Sequence, residues 1–356
     1  MGRPLVVLVT GAGAPGIRGT IYALRHNSDG VAVRIVGTDM NPHAVGRHLV
    51  DVFHRVPAPE SADYLEELGG VCSREPVDVV LPQTTREISV LSAAAETLGS
   101  RTGARVICSS ARAIARANNK CAVLEVFRRM GLPHPQYALT GGEREFVEAV
   151  RSFGYPSRPV VVKPPVSNGM RGFRVLTASP WSLERFLSQK PSGTDTDLEH
   201  LLPILRNGDH WPELLVTEYL SGPEYSVDAF ASGPIAIAVP RRRDAIRSGI
   251  SFENAMVPRN DLAEFTLAAA REIGLEYAFG FQYKEDESGV PKVLECNPRV
   301  QGTMVASVFA GVNPVWLSIK ASCHWPIRPE ETQAREASFF RYWGGLGVVG
   351  DAAFEI

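Results

Sequence analysis

The segment Gln282-x12-Glu295-Cys296-Asn297-Pro298-Arg299 holds the residue types best suited to phosphate chemistry in this chain. Alternate side chains of a strand share a face, so Glu295, Asn297 and Arg299 project together where Pro298 ends the ladder. A carboxylate and an amide oxygen are the hard ligands magnesium takes, and a guanidinium fork matches phosphate oxygens. Gln282 adds a third oxygen from the preceding strand, across a turn at Gly289. An edge hairpin with polar residues facing water accounts for the same segment without chemistry, so the rest of the chain has to decide.

At 356 residues the chain exceeds a usual single core, and two or three domains are expected. Hydrophobic content of 44%, charged content of 21% and a net charge of -2 describe a globular protein with no long-range pull toward nucleic acid or anionic membrane. Phosphate binding must therefore be local. No apolar run nears the roughly 20 residues of a bilayer span, and Pro4–Val9 is too short for a signal peptide, so a cytoplasmic protein is expected. Five scattered cysteines without Cys-x-x-Cys spacing suggest neither zinc nor a disulfide framework, and the eight histidines show no ligand spacing.

Residues 5 to about 110 alternate short apolar runs with helical patterns: Leu5–Val9, Ile17–Arg25, Val31–Gly37, Val77–Leu81, Glu87–Leu98 and Ala104–Ile107. That alternation predicts a doubly wound parallel sheet. Its first turn, Gly11-Ala12-Gly13-Ala14-Pro15-Gly16, matches G-x-G-x-x-G, and Asp39 closes the second strand, as in a dinucleotide fingerprint. Such turns also occur wherever a strand passes tightly into a helix. Two loops at carboxyl ends of strands, Gln83–Glu87 and Ser109-Ser110, lie where ligands of open sheets bind, although helix capping explains the serines. Thr84 and Glu87 are candidate substrate contacts, Glu87 for an ammonium group or simply as an acid favoured by the helix dipole.

Beyond about residue 113 the pattern becomes α+β: a helix over 120–130, strands near 136, 159 and 173, a surface excursion over 189–212, then four strands and the helix Asp261–Ile273 before the opening hairpin. Arg241 and Arg243 share one face of a strand end, and Arg242 points to water.

Four segments taken in order resemble the ATP-grasp superfamily, in the branch near carbamoyl phosphate synthase and the pyrrolysine-pathway ligase: Asn119-Lys120, Val162-Lys163-Pro164 with its loop to Gly172, Thr217–Asp228, and Gln282–Arg299. The resemblance implies a pre-ATP-grasp domain over 1–112, an ATP-grasp domain over 113–322 with subdomains 113–216 and 217–322, and a sheet extension over 323–356. It implies that Lys120 and Lys163 neutralise phosphate oxygens and that Ser167, Asn168, Gly169 and Gly172 form a phosphate flap. Relatives commonly carry Ser where this chain has Met170. Glu218, Tyr219 and Leu220 resemble the adenine hinge, and Glu224 the acceptor for ribose hydroxyls. Gln282, Glu295 and Asn297 would hold magnesium, or manganese in its place, while Arg299, with Arg241 and Arg243, would meet the transferring phosphoryl group. The implied activity is an ATP-dependent ligase joining a small-molecule carboxylate to an amine through an acyl phosphate, and relatives are often homodimers. A small-acid kinase, an NAD(P)-dependent oxidoreductase and a non-catalytic nucleotide sensor remain as alternatives.

Overall fold

Leu5–Val9 (β1) is an unbroken apolar run because both of its faces are covered: Val7 and Val9 enter one core cluster, Val6 and Leu8 another. In this computed structural model residues 3–167, 169–178, 182–188, 193–349 and 352–355 are described. They form two compact units, one of residues 1–118, 224–282 and 295–356, the other of residues 119–223 and 283–294.

The first unit begins with Ile17–Arg25 (α1), Val33–Asp39 (β2), Val52–Arg55 (β3), Tyr64–Arg74 (α2), Val79–Leu81 (β4), Thr85–Thr102 (α3), Arg105–Val106 (β5) and Ala111–Asn118 (α4). The strands run parallel in the order β3-β2-β1-β4-β5, the doubly wound arrangement, with its switch point between β1 and β4. The turn after β1 and the loop before α3 therefore sit side by side at the carboxyl edge. Two elements lacked a sequence signal. β3 reads Val-Phe-His-Arg, with no apolar run, and α2 carries Gly69 and Gly70, yet Leu68, Val71 and Cys72 bury one face of it with Leu91 and Leu98. Ser110 caps α4 through the Ala113 amide at 3.3 Å. Ser109 does not cap: its hydroxyl donates to the Glu276 carbonyl at 3.1 Å and accepts from the Glu276 amide at 2.9 Å.

The second unit contains Lys120–Arg129 (α5), Tyr137–Thr140 (β6), Glu143–Ser152 (α6), Val160–Lys163 (β7), Arg174–Leu176 (β8), Leu183–Ser188 (α7), Asp195–Thr196 (β9), Leu198–Arg206 (α8) and Leu214–Glu218 (β10). Its sheet runs β6-β10-β7-β8-β9, antiparallel except for the last pair. Residues 189–192 of the expected excursion lie outside the described residues, but the remainder is no mere surface loop. β9 extends the sheet, and Leu198 and Leu201 are buried with Phe146, Val160 and Val216.

The chain returns to the first unit through Glu224–Ser232 (β11), Ile235–Arg247 (β12), Ile250–Met256 (β13), Asn260–Ile273 (α9), Tyr277–Glu285 (β14) and Pro291–Asn297 (β15). Val305–Phe309 (α10), Pro314–Ser322 (α11) and Ser338–Phe340 (β16) follow. A six-stranded sheet runs β15-β14-β11-β12-β13-β16, and residues 283–294 at the tip of its β14–β15 hairpin belong to the second unit. Leu346–Val349 (β17) and Ala352–Glu355 (β18) make a separate two-stranded sheet. The boundary read from sequence near residue 113 falls inside α4, which Ser110 caps at its start and which runs to Asn118. Among the described residues no helix is long and apolar enough to cross a membrane. All five cysteines are free thiols.

One buried ion cluster fastens α11 to the loop after α1. Lys320, 1% exposed, reaches Glu331 at 2.6 Å and Asp29 at 3.1 Å, while the Trp316 indole donates to Asp29 at 2.6 Å. Burial opposes ionisation of Glu331, but hydrogen bonds from Lys320, Ser28 and the Arg328 amide outweigh it and hold its carboxyl below the usual range. Lys320→Met, which strands a buried carboxylate, is expected to cost about 3–5 kcal/mol in thermal or urea unfolding. Adding Glu331→Gln should recover part of that loss, and equal stability of the single variant and wild type would refute the assignment.

Candidate active site

The end of β15 brings its three polar residues into one chain of contacts. The Asn297 amide donates to Glu295 Oε1 at 3.4 Å, and Arg299 Nη2 donates to Asn297 Oδ1 at 3.3 Å. Period-two alternation supplies the first contact. The second depends on a tight turn, since Arg299 lies beyond the strand and its amide bonds back to the Asn297 carbonyl at 2.8 Å. Arg299 Nη1 donates to the Val300 carbonyl at 3.0 Å and Nε to Thr85 Oγ1 at 3.1 Å. Burial pulls its guanidinium below the usual arginine range, with Glu295 opposing that shift. Gln282 lies on β14, partly buried. Among the described residues no group of three or more His, Cys, Asp or Glu could hold a metal ion. The oxygen set expected for magnesium has one carboxylate and two amides, which suits a hard cation that takes further ligands from phosphates.

Arg241 and Arg243 continue the buried face of Ile237 and Val239 on β12, while Arg242 turns outward to Asp244 at 2.5 Å. Arg241 is 2% exposed, and every nitrogen of its guanidinium has a partner: Asp228 at 2.9 Å, Asn254 at 2.5 Å and Gln301 at 3.4 Å. Asp228 also accepts from Ser307 at 2.8 Å. Arg243 donates to Ser251 at 2.6 Å, to the Gly249 carbonyl at 2.7 Å and to Glu224. Burial lowers its pKa from the usual range, against the pull of Glu224. Both arginines bond to acceptors inside the first unit. Gln301, Asn254 and Ser307 were not anticipated, because nothing in their spacing marks them.

In the second unit the two expected lysines are buried. The Asn119 side chain caps α5, and Lys120 donates to the Ser167 carbonyl at 2.8 Å and hydroxyl at 3.3 Å. Lys163 donates to the Leu294 carbonyl at 3.2 Å. In the flap, Gly169, Met170 and Gly172 all have positive φ, 59°, 61° and 73°, and a Cβ at Gly172 would meet Pro164 at 2.6 Å. Asn168 lies outside the described residues. At the hinge, the Glu218 carboxylate accepts from the Gln136 amide at 2.8 Å and from Lys292 at 2.7 Å, Tyr219 lies under Lys284, and Leu220 is buried.

At the switch point of the parallel sheet, Thr84 caps α3 and donates to Glu87 Oε2 at 2.6 Å, and Thr10 donates to the same oxygen at 2.9 Å. Glu87 is 4% exposed, and its carboxyl accepts from these two hydroxyls inside the protein. Asp39, the ribose acceptor of a dinucleotide reading, instead accepts from the Gly13 amide at 2.7 Å and the Asn41 amide at 2.8 Å. Burial raises the pKa of Glu87, and the threonine hydroxyls only partly offset it. A carboxyl that binds its proton more tightly folded than unfolded gives stability at low pH and loses it as pH rises through the raised value. Glu87→Gln, which cannot ionise, should therefore gain stability relative to wild type as pH is raised above the ordinary glutamate range. Melting temperatures from pH 4 to 8 test this, and a pH-independent difference would contradict it.

Residues 7–124 match the family described as "PylC-like, N-terminal domain", and residues 210–340 match "ATP-grasp in the biosynthetic pathway with Ter operon". The carbamoyl phosphate synthase large chain of Rubrobacter xylanophilus is 26% identical over 205 residues, covering 57% of this chain and 18% of that one. That of Pyrococcus furiosus is 23% identical over 229 residues, covering 62% and 20%. This chain thus spans about a fifth of the length of these curated relatives. Among solved structures, N5-carboxyaminoimidazole synthetase from Staphylococcus aureus complexed with ADP aligns with a TM-score of 0.68 at 14% identity, over 92% of this chain and 79% of that one. The biotin carboxylase domain of 2-oxoglutarate carboxylase from Hydrogenobacter thermophilus, in complex with MgADP, ADP and bicarbonate, also gives 0.68, at 17% identity over 94% and 73%. Two family matches following one another along the chain, and a fold held in common with these enzymes, support the ATP-grasp superfamily.

Proposed function

We propose that this chain is an ATP-dependent carboxylate–amine ligase that forms an amide through an acyl phosphate and releases ADP and phosphate. The observation that carries the reading is the Glu295–Asn297–Arg299 contact chain at the end of β15. A carboxylate oxygen of the first substrate attacks the γ-phosphorus of ATP and ADP leaves. The amine nitrogen then attacks the activated carbonyl carbon, loses a proton, and expels phosphate that keeps the carboxylate's oxygen.

Little covalent work falls to the protein, so positioning and charge neutralisation dominate. Lys120 and Lys163 neutralise phosphate oxygens; both are buried, which strengthens their pull on an anion. Ser167, Gly169 and Gly172, with Asn168, cover the phosphates, and positive φ at Gly169 and Gly172 turns the flap so that its amides approach closely. The backbone from Glu218 to Leu220 reads adenine, and Glu224 accepts the ribose hydroxyls. Gln282, Glu295 and Asn297 would hold magnesium, which when bound screens the phosphate charge. Arg299 keeps two of its five N–H donors for a phosphoryl or tetrahedral oxygen, the other three holding its plane in place. Arg241 and Arg243 act at one remove, holding Asp228 and Glu224. Thr84 belongs to the rim of a substrate pocket at the carboxyl edge of the parallel sheet, and Glu87 braces that rim. The bicarbonate bound in the 2-oxoglutarate carboxylase domain supports a small carboxylate as first substrate. The resemblance supports a homodimer.

Mg-ATP is to be incubated with pooled carboxylates, pooled amines, or both, and followed by phosphorus NMR and mass spectrometry. ADP and phosphate should appear only with both pools, together with a mass equal to a condensation product. A phosphorylated carboxylate as final product would overturn the ligase in favour of a kinase. Glu295→Ala and Arg299→Ala should each lose about 10²-fold or more in kcat, the scale for removing a preorganised electrostatic partner. Wild-type turnover in either variant would remove that residue from the mechanism.

A further inference from the structure

The glycine-rich turn after β1 is left over by this function, and its surroundings give it a different task. Gly11 has φ 61°, and a Cβ there would stand 2.3 Å from the Thr84 methyl and 2.8 Å from Glu87 Oε2. A Cβ at Gly16 would stand 2.9 Å from Gly302 Cα, and one at Gly19 would stand 2.9 Å from the Val305 side chain. The turn and the first half of α1 are therefore stripped of side chains where two other segments press on them. One is the start of α3, pinned by the bonds from Thr10 and Thr84 to Glu87. The other is the run 302–305 just beyond Arg299. Thr85, first residue of the pinned helix, accepts from Arg299 Nε at 3.1 Å.

We infer that Thr85 is a positioning residue that sets the plane of the Arg299 guanidinium, from a helix start against which the glycine turn packs. The inference rests on the proposed role of Arg299 and deepens it. An arginine side chain has four rotatable bonds before its planar group, and two of its bonds are to oxygens of Asn297 and Val300, its near neighbours in sequence. Among the described residues, only the Nε bond ties it to a separate element of the unit. Without that bond the charge stays and the orientation is lost, which costs turnover and not nucleotide affinity.

The test compares Thr85→Val, which keeps shape but removes the hydroxyl, with Thr85→Ser, which restores it, and with Arg299→Lys. The readouts are kcat, KM for ATP, melting temperature and the Arg299 Nε–H resonance in nitrogen-15 spectra, identified by its absence in Arg299→Lys. Thr85→Val is expected to lower kcat about tenfold with KM for ATP unchanged within about twofold, Thr85→Ser to recover most of it, and the Nε–H signal to shift only in Thr85→Val. Unchanged kcat in Thr85→Val, a rise in KM alone, or a serine variant as slow as the valine one would overturn the inference. Should Thr85→Val fold poorly, Thr85→Ala against Thr85→Ser gives the same comparison. Full activity of Arg299→Ala would bring down the proposed function itself, and the inference with it. A silent Thr85 beside an essential Arg299 would bring down the inference alone.

Discussion

One constraint governs the site: a half-buried guanidinium must keep its charge and its direction together. Burial alone works against the Arg299 cation, and the surrounding oxygens of Thr85, Asn297 and Val300 are what make it tolerable. Those oxygens come from α3, from the end of β15 and from the turn beyond it. The elements of the first unit that looked unrelated in sequence are thereby tied to one another through a single side chain.

The same economy recurs at the other charges. Arg241 and Arg243 are as buried as core leucines, and each lies among acceptors of its own unit, five bonds for Arg241 and three for Arg243. Burying an arginine without such partners would cost several kcal/mol, so these acceptors are the condition of its being there at all. Lys120 and Lys163 are held by carbonyl and hydroxyl oxygens, arrangements that a phosphate could join or replace.

Much of this was legible in the chain. The unbroken apolar run of β1 predicts a strand covered on both faces, and the alternation through Ile237, Val239, Arg241 and Arg243 predicts which arginines turn inward. Spacing places Glu295 and Asn297 on one face, where they touch. What alternation does not carry is the partner on the other side of a face, so an inward arginine reads alike whether it meets a ligand or Asp228. Glu87 misleads for the same reason: its place in the first turn of α3 is visible, but the Thr10 hydroxyl that takes its carboxyl is 77 residues away. The G-x-G-x-x-G turn looks like a cofactor loop because only its glycines show, and the segments that demand those glycines come from residues 84–87 and 302–305. β3 and α2 were missed because burial, and not local pattern, defines them.

The measurement that bears most directly on the central claim is the fate of oxygen in turnover. With the carboxylate substrate labelled with oxygen-18 and the products read by phosphorus NMR, activation through an acyl phosphate predicts one labelled oxygen in each phosphate released. Unlabelled phosphate alongside amide product would contradict the account.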